Sequence, residues 1–157
     1  MQRVFEEKNP NTIRLIGRYT AQLYGPDGLL KKEIIGPNVV CTNGKEFLAS
    51  FLYSAALAAA TNTCKYIAIG SDATAEAASN TAMGTELSRH TGTVSYVSNQ
   101  IYQIKATFAT GSGTGSIYEY GCFSSNTGGT LLSRTTKALI TKGANDTLTV
   151  TYQLTVS

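Results

Sequence analysis

The chain is poor in charge. Asp, Glu, Lys and Arg make up only 15% of its 157 residues, and the net charge is +3. Six Lys/Arg and four Asp/Glu lie before Asn38, and the rest are scattered. A nucleic-acid footprint needs a clustered basic face, so this balance argues against one. There is no tryptophan and one histidine, His90. No apolar run approaches the ~20 residues that cross a bilayer as a helix. The opening MQRVFEEKNP is acidic where a secretory leader is apolar, which argues against export by that route. Cys41, Cys64 and Cys122 are isolated in sequence, with no CxxC pair. A zinc centre needs more ligands at closer spacing, so the thiols read as small buried groups in a reducing compartment. Their odd number also permits a single bond between subunits.

What fills the chain instead is Gly, Ser, Thr, Ala and Asn around well-spread apolar residues, 42% of the total. This suits short strands and tight turns in one domain large enough to bury a core. Residues 1–14 read as a polar arm. Two strand-like runs flank Gly25-Pro26-Asp27-Gly28, where proline presets φ and glycine is free to take φ > 0, so a β-hairpin is expected. Gly36-Pro37-Asn38 should break its second strand. Together, residues 1–37 are expected to form an arm and hairpin extending outward from a domain over 38–157.

One helix is expected, from Asn43 to about Ala60. Phe47 and Phe51 share a stripe at spacing four, with Leu48 and Leu52 beside it, and this face should be buried. Asn43 and Glu46 have capping-box spacing. After the helix the pattern is β. Residues 65–69, the run YQIKATFAT and the run LLSRTTKALI read as strands, and TLTVTYQLTV alternates most cleanly. Such alternation marks an antiparallel strand with one buried face. Strands separated by Gly/Asn turns, without helices between them, predict a mainly β protein: a jelly-roll-like antiparallel β-sandwich with one packed helix.

No catalytic, cofactor or metal motif emerges. The loop after Gly70 lacks GxGxxG and GxxxxGK[ST], and Asn43-Gly44-Lys45 is followed by Glu46 where a phosphate loop has Ser or Thr. His90 has no nucleophile elbow near it, so a surface or turn position is expected. Glu119, in SIYEYGCF, lies near the core if the Ile117/Phe123 face is the inner one. It must then find a cation, because an unpaired buried charge is very costly. Arg89 and Arg134 are the candidate partners. Eight of the nine tyrosines fall in strand-like runs and interleave with Thr, Ser and Gly rather than Lys and Arg, which suits packing better than base stacking.

Three stretches in order, YIAIGSDATAEAASNTAMGTELSR, GTGSIYEYGCFSSNTGGTLLSRTT and KGANDTLTVTYQLTVS, resemble a family of small virion proteins of tailed bacteriophages. The resemblance covers residues 38–157. EYGCF stands where EAGLF is usual in that family, and VTYQLTV where VTWxITV is usual. Glu119, Arg89 and Arg134 fall on the family's recurrent charged positions. The resemblance implies a non-enzymatic part of a phage particle, made in the host cytoplasm, without cofactor or catalytic residue. Its partners would be the major capsid protein or tail subunits, with neither nucleic acid nor membrane involved, and it would act as a homo-oligomer. A capsid-surface decoration or cement role is expected first, a tail, neck or baseplate role second. A carbohydrate- or receptor-binding module is the reading outside the virion.

Overall fold

The final run does what its alternation requires. Leu148, Val150, Tyr152 and Leu154 are buried, while Thr151, Gln153 and Thr155 of the opposite face are half-exposed. In the computed structural model, residues 14–53, 64–98 and 100–157 are described, the side chains of 49–53 excepted. They form β1 (Leu15–Tyr24), β2 (Leu30–Val40), α1 (Thr42–Tyr53), β3 (Tyr66–Gly70), β4 (Glu86–Thr91), β5 (Thr93–Ser98), β6 (Ile101–Phe108), β7 (Gly115–Phe123), β8 (Leu131–Lys142) and β9 (Thr147–Val156).

The chain is mainly β and wholly antiparallel in its pairings. The strand order is β4-β3-β7-β8-β2-β1-β9-β6-β5. One core cluster takes side chains from both ends of that order, including Ile67 and Ile69 of β3 and Ile104 and Phe108 of β6. The nine strands therefore curl over themselves as a sandwich-like half-barrel. β2 is the hinge between the halves. It pairs with β1 over most of its length and reaches β8 only at Val39 and Val40.

The hairpin forms as its turn dictates. Gly28 has φ 76°, its N–H donates to Gly25 O at 3.0 Å, and Asp27 Oδ1 accepts from Leu29 N. It does not extend outward. β1 pairs with β9 along all ten of its residues, and Tyr19, Ala21 and Leu23 lie in the core. Burial of that apolar face outweighs the polar composition that suggested a separate unit. The arm expected over residues 1–13 lies outside the described residues.

Nor does Gly36-Pro37-Asn38 break β2. Pro37 sits opposite Arg18. Its carbonyl turns toward β8 and accepts from Thr135 Oγ1 at 3.1 Å. In an antiparallel strand a residue's N–H and C=O point the same way. Proline's missing donor thus falls on the side where β8 makes no ladder with this part of β2, the position in which a strand tolerates proline.

α1 starts at Thr42, so Cys41 takes the cap position, two residues before the one the Asn43 capping pattern gives, and Asn43 lies inside the first turn rather than capping it. Its first turn closes by Lys45 N to Cys41 O, and Thr42 N donates to Ala78 O at 2.8 Å. Gly44 lets this turn lie directly on β8, since a Cβ there would stand 2.2 Å from Leu132 O. Phe47 and Leu48 are half-buried against the core. The side chains of Phe51 and Leu52, and the stretch to Ala60, lie outside the described residues.

Candidate functional site

The outer face of the β4-β3-β7-β8 half carries charged side chains set between very small ones. Register places Arg89, Ala68, Gly121 and Arg134 in one row across the four strands, and Glu86, Gly70, Glu119 and Thr136 in the next. Ala68, Gly121 and Gly70 make a low floor. A Cβ on Gly121 would stand 2.6 Å from Met83 Sδ, and one on Gly70 would stand 2.5 Å from Glu119 Oε1. The strap over residues 71–85 folds down onto this floor.

Glu119 and Arg134 hold the strap. Both are almost wholly buried. Arg134 Nε donates to Glu119 Oε2 at 2.9 Å, and its terminal nitrogens reach Asp72 Oδ2 at 3.0 Å, Asn80 Oδ1 at 3.3 Å and Ala75 O at 3.4 Å. Glu119 also accepts backbone N–H groups of the strap, from Thr85 at 2.7 Å, Gly84 at 3.0 Å and Asp72 at 3.4 Å. The carboxylate thus takes the place of a ladder partner for a segment with no strand beside it. Hydrogen bonds from Thr74, then the charge of Arg134, hold the Asp72 carboxyl below the ordinary range.

Glu76 pins the strap's middle. It accepts from Thr136 N at 3.1 Å and Thr136 Oγ1 at 2.7 Å, and at 3.2 Å it shares with Pro37 O the single proton of Thr135 Oγ1. Burial pushes its pKa up, but the Thr136 bonds and Lys137 outweigh that and leave it lowered.

Arg89 is not brought to Glu119. It donates to Glu86, three residues before it, through Nε at 3.0 Å, and to Ser125 O and Gly128 O at 2.9 and 2.7 Å. Its guanidinium lies 3.5 Å from the Phe123 ring centroid, a stacked cation–π contact. Arg89 therefore ties the β7–β8 turn to β4, while Arg134 ties the strap to β7.

The face reading of β7 needs correction as well. Ile117 lies in the core, but so do Tyr120 and Cys122. The alternation breaks at a register shift. Between the pairs Ile117↔Ile140 and Glu119↔Thr136, β7 has one residue and β8 three. Neither of the two simple faces is the inner one throughout.

His90 is half-buried in β4 rather than on a turn. Its ring packs on Phe108 with centroids 4.7 Å apart, and Nε2 lies 2.9 Å from Ser112 Oγ. Ser112 was not legible as a partner of His90, because the contact depends on the 109–114 turn folding back against β4. A hydroxyl beside imidazole is the first element of a nucleophilic pair. The second element, an acid on the other ring nitrogen, is not among the hydrogen bonds of the described residues. The three cysteines are all buried, which leaves none at the surface for a bond between subunits. Burial pushes the Cys64 thiol up to about 12 and raises Cys41 and Cys122 as well.

Among the described residues no group of three His, Cys, Asp or Glu side chains could hold a metal ion, and no helix is long and apolar enough to cross a membrane. Two arginines, Arg89 and Arg134, and four carboxylates, Asp72, Glu76, Glu86 and Glu119, tie the strap and the β7–β8 turn to the sheet. No protein-family model, curated protein or solved structure matches the chain.

Proposed function

We propose that this chain is a non-enzymatic structural component of a bacteriophage particle, a decoration or cement protein that lies on the capsid surface and stabilises neighbouring subunits. The observation that carries this reading is the Glu119–Arg134–Asp72 clasp. Its charged groups are consumed in holding the 71–85 strap to the sheet, so the site's chemistry is spent on shape. The ELSR, YEYG and LLSR stretches that carry the family resemblance supply Glu119 and Arg134 of this clasp and the Glu86–Arg89 pair that ties the β7–β8 turn to β4. The exposed apolar residues lie mainly on the β1–β2 hairpin (Ile16, Leu29, Leu30, Ile35) and on β5 (Val94, Tyr96, Val97), where a neighbouring subunit could cover them.

The experiment is a count. Particles encoding this chain are purified, imaged by cryo-electron microscopy and quantified by mass spectrometry. A cement protein lies on the head at a copy number near that of the capsid subunit. A few to a few dozen copies at the tail would make it a tail, neck or baseplate part. Absence from the particle, together with turnover of a small molecule that His90→Ala and Ser112→Ala abolish, would overturn the reading.

A further inference from the structure

The two outer strands of the curled sheet are guarded differently. β4 carries Glu86, Arg89 and His90, and charge on an edge strand discourages pairing with another chain. β5, Thr-Val-Ser-Tyr-Val-Ser, carries none. No Asp, Glu, Lys, Arg or His occurs between His90 and Lys105, and no proline either. All six residues of β5 are exposed, Tyr96 at 82% and Val97 at 54%. β5 pairs with β6 on one side, and its other edge has no strand among the described residues. β-Branched and aromatic residues in an uncharged strand with a free row of N–H and C=O groups are what strand addition requires.

We propose that β5 is a self-association edge, on which two copies of this chain pair their β5 strands antiparallel about a two-fold axis and join the two curled sheets into one. Charge and register select the occupant. An edge without charge gives a charged segment nothing to pair with. Of the two edge strands among the described residues, only β5 is without charge, so the neutral edge that another copy can offer is β5 itself. Pairing β5 of one copy with β4 of the next would set charged residues beside it and build an open filament, whereas β5 on β5 closes after two copies.

A two-fold axis at Ser95 also fits the side chains. Residues directly opposite in an antiparallel pair share a face. Val94 of each copy then meets Tyr96 of the other, an aromatic against a β-branched residue, and the regular ladder ends there, because β5 shifts register between Tyr96 and Ser98. Tyr96 already flanks a shallow depression lined by Tyr102, Leu154 and Val156, which the second copy would extend. A seam of six residues a side falls short of the ~800 Å² per partner of a standard stable complex. The dimer is therefore concentration-dependent in solution and would be reinforced wherever copies are held side by side. This inference stands apart from the virion reading, because it concerns the purified chain alone.

The test uses the full chain. Sedimentation over a wide concentration range should show monomer passing to dimer. Tyr96→Lys, at a position too exposed to matter for folding, should abolish the dimer with an unchanged melting temperature. Ser95→Cys places two thiols on the axis, with opposed Cβ atoms at the ~4.5–5.5 Å of an antiparallel pair, near disulfide reach. Mild oxidation should cross-link it well before Thr141→Cys, an exposed control on β8. A wild-type chain that stays monomeric, a Tyr96→Lys dimer, equal cross-linking of the two cysteine variants, or a dimer lost on deleting residues 1–13 would each overturn the proposal.

Discussion

Arg134 and Glu119 face each other across β7 and β8 at 2.9 Å, and neither reaches solvent. A buried pair alone is weak evidence for stability, because desolvation offsets much of the attraction. Here the carboxylate also serves the N–H groups of Thr85 and Gly84, and the guanidinium also serves Asp72. Removing one partner leaves a buried charge and several orphaned groups. Glu119→Ala should cost about 3–5 kcal/mol in urea unfolding. The apolar double variant Glu119→Leu/Arg134→Met should recover little of that, since the strap's backbone donors still lack an acceptor. A double variant as stable as wild type would show that the strap is held by something else.

Acid should loosen the strap before the sandwich. Asp72 and Glu76 both have lowered folded-state values, set by the Thr74 bonds in the first case and by the Thr136 bonds against burial in the second. Asp146 is lowered too, by Gly143 N–H and then Lys31. For such groups the stabilisation is fully present above the unfolded value, ~3.9 for Asp and ~4.3 for Glu, and is lost as pH falls through the lower folded value. The melting temperature should therefore hold steady from neutral pH down to about 5 and drop below about 4. Glu76→Gln should flatten that acid limb. A melting temperature that climbs as pH falls below 4 would contradict the assigned directions.

How far the sequence could be read follows from the range of each interaction. β9 was legible because alternation is written in consecutive residues, and the hairpin because Gly25-Pro26-Asp27-Gly28 specifies its own turn. The need of Glu119 for a cation was legible from its apolar neighbours, but the choice of Arg134 over Arg89 was not. Glu119 sits 15 residues from Arg134, and strand register decides which guanidinium arrives. The strap was illegible because it reaches β7 and β8 across separations of 34 to 62 residues. β5 gave no clear signal for a different reason: both its faces are exposed, so no selection for alternation acts on it.

The thiols offer a direct check on burial. Cys64, with its pKa near 12, holds almost no thiolate at neutral pH, and Cys41 and Cys122 are raised in the same sense by burial. Since the thiolate is the reactive form, none should react with an aromatic disulfide reagent within minutes in the native chain. All three should react in denaturant. Rapid native reaction of any one would show that its site opens.

Gly17 and Asn38 pair directly across β1 and β2, and the Asn38 side chain fills the space above the glycine. A Cβ on Gly17 would fall 1.8 Å from Asn38 Oδ1. Among the described residues neither the oxygen nor the nitrogen of that amide has a hydrogen-bond partner, although both are shielded from solvent. Asn38 therefore occupies its place by shape rather than by bonding, and its loss should be mild. Gly17→Ala should destabilise by about 1–3 kcal/mol, the usual cost of forcing extra volume into a packed site. Asn38→Ala removes the obstacle, so the double variant should be more stable than Gly17→Ala alone. A double-mutant cycle in urea measures this coupling, which contact neighbours show at about 0.5–3 kcal/mol. Strict additivity would mean that Asn38 swings aside freely and that the glycine answers to backbone conformation, which its ordinary φ argues against.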